Sequence, residues 1–206
     1  MQKELLNNVN RLKALADTGL IYASNEYDRE RYTELQELSF QLLSTISGHS
    51  IDHLKGCFPL VKDYPTAKVD IRGMVLSPDK KILFVKESLD GKWSLPGGWA
   101  DVGFSPKEAI VKEFKEETGL IVNPQRLLAV FDKKMHAHPP QACYVYKMVF
   151  YCEAISSQIE KGFDVLDVQY FGIEELPELS EDRILKTQVE LLFKKVLSSD
   201  AETYIE

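Results

Sequence analysis

The sequence predicts an α/β protein, with an α/β/α sandwich around a mixed sheet that follows a small two-helix N-terminal domain. Apolar residues recur at helical spacing over residues 1–48, and strand-like segments rich in Val, Ile, Phe and Tyr begin near residue 68. Two further helical patterns lie among and after these strands, which favours helices packed on a sheet. The chain therefore divides into a helical domain at 1–48, a linker at 49–65 and a main domain at 66–206.

The N-terminal segment contains two amphipathic helical patterns. The first can end or bend at Gly19, and the second can begin after Ser24 or Asn25 and end near Gly48. Two helices of this size cannot shield both apolar stripes from water, so we expect a homodimer through these helices, with packing on the rest of the chain as the alternative. The stripes consist of Leu5, Val9, Leu12, Leu15 and Ala16, and of Tyr32, Leu35, Leu38, Leu42 and Ile46.

The linker and the main domain differ in their local signals. Residues 49–65 include Gly56, Pro59 and Pro65 and are predicted to be irregular. The main domain alternates apolar segments with turn residues, as expected for strands. The predicted strands cover 69–76, 82–85, 93–95, 121–131, 142–154 and 166–172, and the last helix covers 181–198.

A helix with strong boundary signals follows a pair of glycines in the main domain. Ser105 suits the N-cap, Pro106 suits the first helical position, and Glu108 completes a capping box with Ser105. Gly119 follows the last turn, where helices often end. We therefore expect a helix between Ser105 and Gly119.

Three glutamates share one face of this helix. At about 100° per residue, Glu113, Glu116 and Glu117 fall within an arc of roughly 100°. Carboxylates at this spacing repel one another unless a cation lies among them. A bound divalent metal ion is one interpretation, and an acidic face exposed to solvent is the other.

The segment from Gly98 to Leu120 resembles the Nudix box. The pattern of that family is G-x5-E-x7-R-E-U-x-E-E-x-G-U, where U is a bulky aliphatic residue. Pro96, Gly97 and Trp99 around the first glycine are also typical of the family. The matching positions are Gly98, Glu113, Glu116, Glu117, Gly119 and Leu120.

Three positions depart from the pattern. Phe104 stands where the family has Glu, Lys112 stands where it has Arg, and Phe114 replaces an aliphatic residue. A planar guanidinium suits a carboxylate partner, whereas a point-charge Lys suffices where that carboxylate is missing. We therefore interpret the changes at Phe104 and Lys112 as coupled.

The resemblance implies a fold and an activity. It implies the Nudix-type sandwich over about residues 66–200, and the helices in front are similar to a subgroup with an N-terminal helical extension, near CDP-choline and ADP-ribose pyrophosphatases. It implies a divalent-metal-dependent hydrolase that cleaves the pyrophosphate bond of a nucleoside diphosphate linked to another moiety, giving nucleoside monophosphate and phospho-X. The alternatives are a catalytically weak nucleotide-sensing module and a pyrophosphohydrolase acting on nucleoside triphosphates or RNA ends.

The resemblance also implies which residues hold the metal. Glu113 and Glu117 would bind Mg²⁺, or Mn²⁺ as a substitute, with Glu116 and the backbone carbonyl of Gly97 alongside. Lys112 would orient Glu113 or reduce the repulsion within the cluster.

The general base is left open by the sequence. In this family it is a box glutamate or a later acidic residue, and Asp164 and Asp167 occupy a loop like the one that supplies a late carboxylate in relatives. The alternative is that both belong to an acidic loop exposed to solvent.

Composition limits the partners. A net charge of −7 argues against binding to duplex nucleic acid and makes RNA a less favoured substrate, but bound metal can still attract phosphate. No segment approaches the ~20 apolar residues of a membrane span, and the polar N-terminus does not resemble a signal peptide. Cys57, Cys143 and Cys152 lack CxxC spacing, which favours buried thiols in a reducing cytoplasm.

Overall fold

The computed structural model describes residues 2–58, 64–139, 141, 143–198 and 201–206. The chain forms two compact units, which are described separately. The first comprises Met1–Ala67 and Pro140–Tyr144, and the second comprises Lys68–Pro139 and Val145–Glu206.

Three helices build the first unit: α1 (Gln2–Tyr22), α2 (Glu26–Ser47) and α3 (Ile51–Cys57). Asn25 caps α2, since its side chain accepts a hydrogen bond from the N–H of Asp28, and Gly48 ends the helix in a left-handed conformation. Both boundaries agree with the sequence prediction. The core of the unit consists of Leu6, Val9, Phe40, Leu43 and Leu54.

Two local predictions for this unit are wrong. Helix α3 lies inside the segment 49–65 that was predicted to be irregular, because Ser50 caps it and the buried Leu54 anchors it in the core. Helix α1 also continues past Gly19, where an added Cβ would lie 2.4 Å from the ring of Tyr32, so this glycine permits close helix packing. The domain limits at 48 and 65 remain predictions.

The second unit contains eight strands, two α-helices and two short 3-10 helices (Lys133–Met135 and Ile173–Glu175) in its described part. They form a five-stranded sheet in the order β4-β1-β6-β5-β8 and a three-stranded sheet in the order β3-β2-β7. Strand β1 pairs with β6 in parallel and with β4 in antiparallel orientation, so the mixed sheet is confirmed. The elements are β1 (Lys68–Met74), β2 (Ile82–Glu87), β3 (Trp93–Ser94), β4 (Gly97–Trp99), α4 (Pro106–Thr118), β5 (Val122–Asp132), β6 (Val145–Ala154), β7 (Val165–Phe171), α5 (Lys186–Leu197) and β8 (Tyr204–Ile205).

The helices cover opposite faces of the sheets. Neighbouring residues of a strand point to opposite faces, and Val149 packs in the cluster that contains Leu192 of α5, whereas Phe150 packs in the cluster that contains Phe114 of α4. The predicted α/β/α sandwich is therefore confirmed.

Two predicted boundaries in this unit shift toward the C-terminus. The strand predicted over 142–154 begins at Val145, and the helix predicted over 181–198 begins at Lys186. The carbonyl of Ser180 accepts from the N–H groups of Arg183 and Ile184, so a turn precedes the helix. Ile184 is fully buried but precedes the first residue of the helix, so it belongs to the core without belonging to the helical stripe. No helix in the described residues is long and apolar enough to cross a membrane.

Candidate active site

Helix α4 presents its glutamates from a fixed position. The Ser105 hydroxyl accepts from the N–H of Glu108, the Glu108 carboxylate accepts from the N–H of Ser105, and Gly119 ends the helix at a φ of 71°. The predicted capping box is confirmed. Ile110 and Phe114 are fully buried against the sheet, so the glutamate face cannot rotate freely.

Glu117 is the most deeply buried glutamate of this helix. Glu117 is 5% exposed, and its carboxylate accepts a hydrogen bond of 2.8 Å from the N–H of Gly97. Burial raises the pKa of Glu117 to about 8, although Arg72 and the Gly97 N–H oppose the rise. A cation at this carboxylate would favour its ionised form.

The glycine pair brings the backbone of β4 against the glutamates. Gly97 has a φ of +134°, and an added Cβ would lie 2.1 Å from the carbonyl oxygen of Ile71. A Cβ on Gly98 would lie 3.1 Å from a carboxylate oxygen of Glu113. Glu113 and Glu117 therefore meet the same short stretch of strand.

The other two glutamates have different surroundings. Glu113 is half-buried, and desolvation by this burial raises its pKa above the usual value. The Glu116 side chain is 48% exposed, and its Oε2 lies 3.1 Å from Nζ of Lys112. The sequence predicted one cluster of three glutamates, but the structure pairs two with β4 and one with a lysine.

The side chains fit a hard divalent cation. Among the described residues, no three His, Cys, Asp or Glu side chains are already grouped as a complete ligand set. Mg²⁺, however, keeps several waters and commonly uses one or two carboxylates together with substrate phosphates. Glu113 and Glu117 supply such carboxylates, and their raised pKa values show that the protein alone does not compensate their charge.

A buried ion network borders this site, and sequence reasoning missed it. Although burial opposes ionisation of Asp70, Arg72 and Lys147 hold its pKa below the usual value, and Lys147 forms an ion pair with it. Arg72 also lies near enough to Glu117 to oppose the rise of its pKa. The guanidinium donates to Asp70 at 3.0 Å, Glu87 at 3.4 Å, the Ser94 hydroxyl at 3.2 Å and the Leu95 carbonyl at 3.0 Å.

A signal for this network was present in the sequence. Asp70 and Arg72 occupy alternate positions of β1, and Lys147 interrupts the apolar run of β6. All three are at most 6% exposed. Charged residues at core positions of strands are rarely buried unless they are paired, so they indicate a polar network.

Asp164 and Asp167 occupy different positions around the start of β7. Asp164 is exposed and precedes β7, whereas Asp167 lies within β7, where its carboxylate accepts from the N–H of Val168 at 2.8 Å. The prediction of one loop for both residues is therefore wrong for Asp167.

The segment before β7 is fastened to the end of α4. The N–H of Glu160 donates to the carbonyl of Thr118 at 2.9 Å, and the N–H of Gly162 donates to the carbonyl of Glu117 at 2.9 Å. These bonds satisfy carbonyls that the end of the helix leaves without partners. The loop that carries Asp164 thus has a defined place beside the glutamate helix.

Known proteins match both parts of the chain. A family model described as "UDP-X-like, N-terminal oligomerisation domain" matches residues 3–58, and one described as "NUDIX domain" matches residues 67–192. The Bacillus subtilis (strain 168) protein named "Putative ADP-ribose pyrophosphatase YjhB" is 38% identical over 206 residues, covering 100% of this chain and 99% of the relative. An ADP-ribose pyrophosphatase of Methanocaldococcus jannaschii is 33% identical over 58% of this chain and 69% of its own.

Solved structures match as well. A crystal structure of a UDP-X diphosphatase has a TM-score of 0.65 and 34% identity, covering 100% of this chain and 99% of its own. A crystal structure of an ADP-ribose pyrophosphatase from Streptococcus suis 89-1591 has a TM-score of 0.61 and 36% identity, covering 68% of this chain and 100% of its own. The matched region 67–192 contains β4, α4 and the buried ion network.

Proposed function

This chain belongs to the Nudix family, and we propose that it is a divalent-metal-dependent hydrolase of nucleoside diphosphate derivatives. Water would cleave the pyrophosphate bond of a nucleoside diphosphate linked to a moiety X, giving nucleoside monophosphate and phospho-X. The observation that carries this proposal is the approach of Glu113 and Glu117 to the Gly97–Gly98 backbone, with Glu117 buried and its pKa raised.

The substrate class follows from what the relatives share. Their names include ADP-ribose pyrophosphatase and UDP-X diphosphatase, which differ in the base and agree on a nucleoside diphosphate. We propose the pyrophosphate bond as the common feature that this site recognises. ADP-ribose, UDP-sugars and CDP-choline are the substrates to test first.

Glu113 and Glu117 would hold Mg²⁺, or Mn²⁺ in its place, with the carbonyl of Gly97 as a further ligand and Glu116 at the edge. When bound, the ion neutralises charge that develops on the phosphoryl oxygens and acidifies the attacking water. Lys112 holds Glu116 through its ion pair of 3.1 Å.

We propose Asp164, which follows the glutamate helix in sequence, as the first candidate to test for the general base. Its loop is hydrogen-bonded to the end of α4, which supports a place near the glutamates. Asp167 is the weaker candidate, because it lies in β7 opposite Lys86 of β2. Replacing each by Asn and comparing turnover at saturating Mg²⁺ tests the pair, and unchanged turnover in both variants would assign the base to a glutamate of α4.

The function is tested by product analysis of the purified chain with Mg²⁺ and each nucleotide. We expect nucleoside monophosphate and phospho-X, and we expect Glu117→Gln to reduce turnover by about 100-fold. Glu190→Gln is the control, since Glu190 is a glutamate of a different helix, α5, where its side chain is exposed and pairs with Lys186. Release of inorganic pyrophosphate from nucleoside triphosphates would instead indicate a triphosphate pyrophosphohydrolase, and binding without product would indicate a sensing module.

We also propose that the chain forms a homodimer through its N-terminal helices. The family description of residues 3–58 as an oligomerisation domain supports this proposal. Four leucines of α1 and α2 are 41% to 50% exposed, and they are Leu5, Leu15, Leu38 and Leu42.

A cytoplasmic location is a further proposal. Cys57, Cys143 and Cys152 are all free thiols, which suits a reducing compartment. Fractionation of cells that express the tagged chain would test it.

A further inference from the structure

The loop between β4 and α4 contains an aromatic residue where the Nudix box has a carboxylate. The ring of Phe104 is partly exposed, and its centroid lies 5.8 Å from Nζ of Lys112. A cation is attracted to an aromatic face at this distance, but less strongly than to a carboxylate at hydrogen-bonding distance. The substitution at Phe104 alone would therefore leave Lys112 with a weaker partner in the loop.

A different residue of the loop supplies a carboxylate to Lys112. Nζ of Lys112 lies 3.0 Å from Oδ2 of Asp101 and 3.1 Å from Oε2 of Glu116. Hydrogen bonds to these two carboxylates raise the pKa of Lys112 above its usual value, which further favours the charged amine. The missing carboxylate at position 104 therefore does not leave Lys112 without a carboxylate in the loop.

A tight turn explains how Asp101 reaches this position. The N–H of Phe104 donates to the carbonyl of Asp101 at 3.3 Å, which places the two residues at the ends of one turn. Both side chains then approach Lys112, the carboxylate by direct contact and the ring from a greater distance. The lysine thus connects the loop to the glutamate face of α4.

We propose that Asp101 replaces the carboxylate that the box lacks at position 104, and that Asp101 and Lys112 together position Glu116 on the metal-binding face of α4. This role rests on the proposed function, because it concerns the face that holds the cation. Without Asp101, Lys112 would pair with Glu116 alone and hold that carboxylate away from the ion. The loop beside Gly97 and Gly98 would also lose its ion pair with the helix.

Metal affinity is the property that reports this role. Ion pairs between exposed side chains contribute little to the free energy of unfolding, and the Asp101 side chain is 55% exposed. Residues that orient metal ligands, in contrast, often change affinity by about tenfold or more when they are replaced. Asp101 is therefore a positioning residue whose loss affects metal binding more than thermal stability.

The test uses Asp101→Asn, Phe104→Glu, and the two double variants that combine Asp101→Asn with Phe104→Glu or with Phe104→Gln. The affinity of the full-length, substrate-free protein for Mn²⁺ is measured by electron paramagnetic resonance titration, and amide exchange of residues 101–105 is measured without metal. We expect Asp101→Asn to weaken Mn²⁺ binding about tenfold and to accelerate exchange. Phe104→Glu should restore both properties in the double variant, and Phe104→Gln should not.

Asp79→Asn is the matched control, because Asp79 forms an exposed ion pair of 3.1 Å with Lys81 away from α4. Equal Mn²⁺ affinities of Asp101→Asn and Asp79→Asn, or failure of Phe104→Glu to restore binding, would overturn the inference. If the Mn²⁺ pattern is as expected but the wild-type protein hydrolyses no nucleotide, the positioning role stands and the proposed function fails. If the wild-type protein binds no Mn²⁺, both fail.

Discussion

Glu117 links the pH dependence of stability to metal binding. Burial raises its pKa to about 8 in the folded protein, compared with 4.5 for an ordinary glutamate. Between these values the folded state holds a proton that the unfolded state has released, so the free energy of unfolding falls as pH rises. His138, whose burial lowers its pKa from 6.5 to about 4, contributes the opposite slope only below pH 6.5. The range from pH 6.5 to 8 therefore separates the effect of Glu117 from that of His138.

We predict that the metal-free protein loses about 1 kcal/mol of stability per pH unit in that range, and that Glu117→Gln removes most of this slope. Urea denaturation after EDTA treatment measures both. Because Mg²⁺ binds the ionised carboxylate, its addition should stabilise the wild type more at pH 8 than at pH 6.5. Glu190→Gln should keep the wild-type slope, and an unchanged slope in Glu117→Gln would assign the pH dependence to another group.

Arg72 should be far more important for stability than an exposed arginine. Replacing it with Met leaves Asp70 and Glu87 buried with a major cationic partner removed, and breaking a buried ion pair commonly costs about 3–5 kcal/mol. Arg31→Met removes a pair of similar length, 2.9 Å, from an exposed helix surface, and should cost at most about 1 kcal/mol. Urea denaturation of both variants compares the two losses, and similar losses would contradict the assigned role of Arg72.

Residues with local partners could be predicted from the sequence, and residues with distant partners could not. The cap of Ser105 and the common face of Glu113 and Glu117 depend only on helical spacing. Arg72, in contrast, meets Glu87 and Ser94 from 15 and 22 residues away, and these contacts require the register of the strands. The partner of Lys112 was missed for a related reason, since only the turn in the loop reveals Asp101.

Helix α4 is the element whose boundary most directly affects the proposed site. Replacing Ser105 with Ala removes the acceptor for the Glu108 N–H, and the loss of an N-cap costs typically about 1 kcal/mol. Ser105→Asp keeps an acceptor and should remain within a few tenths of a kcal/mol of the wild type. Chemical denaturation measures both. Equal destabilisation by Ala and Asp would show that the side-chain cap does not stabilise this helix.

Elements were predictable where capping signals agreed with apolar spacing. Helix α4 satisfies both conditions, and its predicted limits are confirmed. Helix α3 has only seven residues. Gly56 within it and Pro59 after it favour an irregular segment, and the buried Leu54 that holds it in the core gives no periodic signal. The start of α5 was placed too early because the buried Ile184 belongs to the preceding turn.

The two compact units are not separated by a single boundary in the sequence, so domains cannot be predicted from sequence order alone. The segment Pro140–Tyr144, between two long strands of the second unit, belongs to the first unit. Within that unit, the side-chain amide of Asn10 donates to the backbone carbonyl of Gln141 at 3.4 Å. The Pro139-Pro140 pair indicates a loop but not the unit that the loop joins, so sequence order alone placed it in the main domain.

The oligomeric state is the property of the whole molecule that the N-terminal helices should decide. Leu38 and Leu42 lie one turn apart on α2 and are 44% and 41% exposed, so burial against a second copy would remove apolar surface from water. We predict a dimer for the wild type and a monomer for the Leu38→Glu, Leu42→Glu double variant, because the introduced carboxylates would have to lose water within the contact. Light scattering after size-exclusion chromatography measures the mass.

The control carries Glu at Leu89 and Leu166, which are exposed leucines of the second unit, and should remain a dimer. A double variant at Leu38 and Leu42 that keeps the wild-type mass would exclude this face of α2 as the contact.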